Sequence, residues 1–80
     1  MNNFYIPFEL LQDPEFEEYP KALLLYEEIY YMYKQDIEFL GKKEELAQKL
    51  ECSVAGIDFY LNILKRKNID DEIKQILLNN

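Results

Sequence analysis

Two apolar stripes separated by a short polar break constrain this chain more than any other feature. From Leu46 to Leu64 it reads LAQKLECSVAGIDFYLNIL. Leu46, Ala47 and Leu50 fall on one face of a short helix, and Ile57, Leu61 and Leu64 make the facing stripe of a longer one. Ser53 stands between them, where its hydroxyl can accept a bond from an orphaned amide in the first turn of the second helix.

This stretch resembles the tri-helical or winged-helix DNA-binding domains of bacterial and phage regulators over about twenty residues that match their core positions. The segment from Phe4 to Phe16, FYIPFELLQDPEF, resembles the lead-in of the replication-initiator winged-helix domains of plasmids and phages. Together the two matches cover most of residues 4–69. The fold they imply is all-α: a helix-turn-helix, degenerate winged-helix core with a short N-terminal arm and a C-terminal helix. It is expected as a single domain over 1–80, with an arm over 4–19 that holds one short helical turn at Pro7–Leu11. Helices follow over 20–35, 42–51, 53–67 and 70–79.

The family reads DNA with arginine, lysine, serine, threonine or asparagine on the outer face of its second helix. Here the outward positions hold Val54, Ala55, Gly56, Asp58, Phe59, Asn62 and Ile63. None is cationic, and Phe59 and Ile63 are large apolar groups spaced four apart. Lys65, Arg66 and Lys67 cluster at the helix end, where cations suit the macrodipole as well as they suit a phosphate. After them a winged helix would show two short strands. Asn68-Ile69 resembles the start of such a wing, but Asp70 to Leu78 is patterned as a helix with an acidic first turn.

Charge strengthens the contrast. The chain has 80 residues and a formal net charge of -7, which opposes nonspecific attraction to nucleic acid or anionic membrane. Residues 1–39 hold two lysines against nine carboxylates, and residues 40–68 six cations against four. The N-terminal half is therefore acidic and the helix-turn-helix segment weakly basic.

The first long helix has a core face of Ala22, Leu25, Tyr26, Ile29 and Tyr33. Leu23, Leu24, Tyr30, Tyr31 and Met32 widen the apolar band around it, so either the arm wraps this helix or part of it is a contact surface. Ile37 to Leu40 is expected as one extended segment, of the kind that forms the first strand of a winged helix. Six of the seven tyrosines lie in the acidic half. Tyrosine brings contact area and a hydroxyl at small entropic cost. Set among Glu27, Glu28, Asp36 and Glu38, such rings can imitate a nucleic-acid surface, or they fill an undersized core.

Catalysis finds little to work with. The chain has no histidine, and its acidic doublets point about 100 degrees apart on a helix, so they do not converge on one site. No cofactor or metal site is expected. Cys52, the single cysteine, reads as packing in the turn. No apolar run approaches the about 18 residues of a membrane span, and the N-terminus lacks the pattern of a signal peptide, so a cytoplasmic protein of a bacterial host is expected.

Two functions follow. The first is a phage or mobile-element accessory protein that binds a protein partner with a basic surface, through Ala55, Phe59 and Ile63 or through the acidic face of Glu27, Glu28, Tyr30, Tyr31, Asp36 and Glu38. Small acidic phage proteins that look like this include anti-CRISPR and anti-restriction inhibitors of nuclease complexes. The second is a DNA-binding regulator or initiator domain that uses Ser53, Asn62, Lys65, Arg66 and Lys67. A two-fold homodimer through Phe59 and Ile63 fits either reading.

Overall fold

Prolines and short polar side chains punctuate this chain, and four of its helices begin where they stand. The computed structural model describes residues 8–39 and 41–79, and every regular element among them is an α-helix. These are α1 (Phe8–Leu11), α2 (Pro14–Glu18), α3 (Pro20–Lys34), α4 (Lys43–Leu50), α5 (Val54–Lys65) and α6 (Asp71–Leu78). Asp13 caps α2 by accepting from the Glu15 N–H at 2.9 Å, with Pro14 in the first turn, where its missing N–H costs nothing. Pro20 opens α3 in the same way. Ser53 accepts from the Gly56 N–H at 3.0 Å, and Asp70 accepts from Glu72 and Ile73 at the start of α6.

Two of the helices, α3 and α4, end by a shared device. Beyond α3 the Ile37 N–H reaches back to the Met32 carbonyl at 2.8 Å and the Asp36 N–H to that of Tyr33 at 3.2 Å, with Asp36 left-handed at φ 58°. Beyond α4 the Cys52 N–H reaches Ala47 at 2.9 Å and the Glu51 N–H reaches Gln48 at 3.2 Å, with Glu51 at φ 57°. Both are Schellman closures in which a carboxylate residue holds the place that glycine usually takes.

The first closure changes one expectation. Ile37 to Phe39 form no strand, because the Ile37 amide is spent on the helix behind it and no extended neighbour lies among the described residues. Leu40 lies outside them, as does the Pro7 end of the expected arm helix. The arm itself is more ordered than the sequence suggests, since α2 follows α1 and sends Phe16 into the core. No strand follows α5 either: residues 68–70 lead directly into α6.

The centre of the molecule is α3, which packs against α2, α4, α5 and α6. Its Ala22, Leu25, Tyr26 and Ile29 meet a core that includes Leu46, Leu50, Ile57, Leu61, Leu64, Ile73 and Leu77, all buried. The radius of gyration of 11.7 Å is that of a compact chain of this size, about 12 Å. No helix among the described residues is long and apolar enough to cross a membrane.

Candidate functional site

The outer face of α5 is apolar at its start and closed at its end. Val54, Ala55, Phe59 and Asn62 are exposed. Phe59 meets Tyr19 edge-on at 5.0 Å and Tyr60 at 5.6 Å between ring centroids, so it forms a small aromatic patch against the N-terminal cap of α3. Asp58 is held by Lys43 at 2.7 Å, which neutralises the one anion on this face and pins α4 to α5. Ser53 is occupied as a cap.

Ile63 does not belong to that surface. It is only 1 % exposed, because α5 packs against α3, α4 and α6, and a helix contacted from three sides buries more than one stripe. An apolar contact surface or a dimer seam through Phe59 and Ile63 therefore loses its second member.

The cation cluster at the end of α5 is equally committed. The Lys67 ammonium contacts Asp13 at 2.9 Å and Glu15 at 2.7 Å and lies 5.6 Å from the centre of the Phe16 ring. Arg66 reaches the other Glu15 oxygen at 3.1 Å. The Lys67 ammonium, helped by the Glu15 amide, holds the Asp13 carboxyl below its ordinary range. Lys67 and then Arg66 do the same to Glu15, and the two carboxylates in turn raise Lys67. This clasp ties α2 to the far end of α5. Of the three cations, Lys65 alone makes no ion pair among the described residues.

The acidic face is rearranged rather than lost. Tyr30 is buried, its ring between those of Tyr26 and Tyr33 at 6.1 and 6.4 Å with the Lys34 ammonium over it at 5.5 Å, so it offers little surface. The reason is again the central position of α3, which is covered on most sides. Glu28 pairs with Lys49 at 3.0 Å. Tyr31 is 47 % exposed, and Asp36 and Glu38 are exposed with no cation of the described residues at ion-pair distance.

These survivors gather around a residue that sequence reasoning passed over. Ile37 is 41 % exposed and lines a groove of about 490 Å³ with Asp36 and Glu38 and a second, of about 250 Å³, with Glu28 and Tyr31. No local sequence signal marks it: the left-handed turn at Asp36 falls on a residue that does not announce one, and the corresponding residue after α4, Cys52, is half-buried. The predicted contact residues thus divide between two places, the Phe59 patch on α5 and the Ile37 ridge beside α3.

Cys52 is half-buried against the core, and no group of metal-binding side chains occurs among the described residues. No family model, curated protein or solved structure matches the chain.

Proposed function

We propose that this protein is a non-enzymatic binding module that engages and modulates a protein partner with a basic surface. The observation that carries the proposal is the unequal fate of its charges. Arg66 and Lys67 are consumed by Asp13 and Glu15, whereas Glu17, Glu18, Asp36 and Glu38 stay exposed without a cation among the described residues. The charge offered to a partner is negative, on a chain of net charge -7.

The scaffold we infer is a degenerate helix-turn-helix. Its support is the three-residue turn Glu51–Ser53 between α4 and α5, with one left-handed residue. A cytoplasmic inhibitor from a phage or mobile element, occupying the nucleic-acid channel of a nuclease complex as anti-CRISPR and anti-restriction proteins do, fits this combination of scaffold and charge. A DNA-reading regulator is the second reading, favoured by the exposed Asn62 and by Lys65 on the same helix, which makes no ion pair among the described residues.

Titration against a long mixed-sequence duplex, at low salt and then with salt raised, separates the two. A DNA reader binds such a duplex with a steep salt slope. We expect no binding, and saturable binding with that slope would overturn the proposal. Lys65→Glu is the clean charge reversal for a second round, because Arg66 and Lys67 also hold the fold together. It should leave partner binding unchanged, while Glu38→Lys should weaken it.

A further inference from the structure

The two grooves that meet at Ile37 differ in charge in a way that points to an occupant. The larger lies between the end of α3, residues 36–39 and α6. Its apolar lining is Ile29, Tyr33, Phe39 and Ile76, and its charged residues among those described are Asp36 and Glu38, with no cation. The smaller lies between α3 and α4 over Met32 and Leu46. Its cations are already matched, Lys49 with Glu28 at 3.0 Å and Lys42 with Glu45 at 3.7 Å.

We propose that these grooves form one docking surface for a cationic amphipathic segment of the partner protein. Apolar side chains of that segment cross the Ile37 ridge into both grooves, and a lysine or arginine lies between Asp36 and Glu38. The proposal rests on the protein-binding reading above and names the part of the partner that this reading leaves open.

Three observations carry it. Charge is the first: an apolar floor beside two carboxylates that have no cation among the described residues suits an apolar residue next to a cation, and it repels nucleic acid. The same carboxylates disfavour a second copy of the chain, since a two-fold contact would set them against their own images on two molecules each of charge -7. Continuity is the second, because grooves of about 490 and 250 Å³ share one wall and together exceed what a single side chain fills. Preorganisation is the third. The Ile37 amide is bonded to Met32 and the Asp36 amide to Tyr33, so the ridge keeps its place without a partner and little ordering is needed on binding.

The test is an NMR titration of the isotope-labelled full chain with a synthetic helical peptide that carries leucines on one face and lysines on the other. A scrambled peptide of identical composition and an acidic counterpart serve as comparisons. We expect the basic amphipathic peptide alone to shift the amides of Tyr31, Tyr33, Asp36, Ile37, Phe39 and Ile76. Ile37→Ser and Glu38→Lys should each weaken it about tenfold, the loss of one well-placed contact. Both side chains are exposed, so spectra of the free variants should otherwise match the parent.

Equal binding of the scrambled peptide would reduce the effect to bulk charge and overturn the proposal, as would indifference to both substitutions. A monomer–dimer equilibrium in sedimentation that Ile37→Ser abolishes would assign the ridge to a second copy instead. A chain that ignores both duplex DNA and the peptide overturns this surface alone, while saturable duplex binding overturns the functional reading beneath it.

Discussion

Phe59 and Ile63 stand four residues apart on α5, yet the first is 45 % exposed and the second 1 %. Their substitution should therefore separate stability from surface chemistry. Ile63→Ala removes buried methylenes and leaves a cavity, at about 2–4 kcal/mol. Phe59→Ala forfeits mainly its edge-on contact with Tyr19, about 0.5–1.5 kcal/mol. A domain this small has roughly 5 kcal/mol in all, so the expected urea midpoint of the first variant falls by about 40–80 %, while the second moves modestly at an unchanged slope. Similar midpoints for both would place Ile63 at the surface after all. The sequence could not separate this pair, because helical spacing sets two residues on one side of a helix and does not say how many neighbours that helix has.

At the scale of elements, the α4–α5 turn holds Glu51 left-handed, a conformation that costs an L-residue about 1–2 kcal/mol. Glu51→Gly relieves that cost and adds backbone entropy to the unfolded chain, for an expected net gain of about 0.5–1 kcal/mol, read from thermal unfolding. A loss would mean that Glu51 has a role its backbone does not reveal. The starts of α3 and α5 are legible in Pro20 and Ser53 because each residue satisfies or avoids an orphan amide locally. The start of α2 is as legible in retrospect, with Asp13 as cap and Pro14 next, but five residues between prolines carry no periodicity to attract attention. Residues 37–39 misled because apolar alternation over so short a run is shared by strands and by chain doubling back on a helix. Tyr30 and Met32 widen the apolar band of α3 because that helix is surrounded, while Leu24 and Tyr31 remain outside. The arm covers one part of α3 through α2 and leaves Leu24 and Tyr31 exposed, so the first alternative for that band holds in part.

At the scale of the whole molecule, the clasp joins residues about fifty positions apart, Asp13 and Glu15 on one side and Arg66 and Lys67 on the other. Both carboxyls are depressed in the folded chain from ordinary values of 3.8 and 4.5. Their stabilising contribution is therefore complete above those values and is lost as pH falls through the lower folded ones. Lys67 is raised from 10.5, so its contribution is complete below that value and is lost as pH rises through the higher folded one. Between these limits the clasp is constant. We expect the Phe16 ring resonances, which report the nearby Lys67 ammonium, to titrate on the acid side below the ordinary carboxyl range. Asp13→Asn with Glu15→Gln should abolish that transition, and its persistence would assign the effect to other groups. Nothing local in the sequence announces this pairing, since both partners look like solvated charges until the fold brings them together.

The central place of α3 also governs how the chain can be made. Ribosomes release α3 before α4, α5 and α6, three of the four helices it packs against. Until Leu61 and Leu64 emerge, Leu25, Tyr26 and Ile29 have only the arm and then α4 to lie against. At about 5–20 residues per second that interval lasts a few seconds, during which the helix that contributes most to the core is synthesised but incompletely covered. Folding of this chain is therefore tied to completion of its last third, and a truncated or stalled product should be a target for chaperones and proteases rather than a partly working protein.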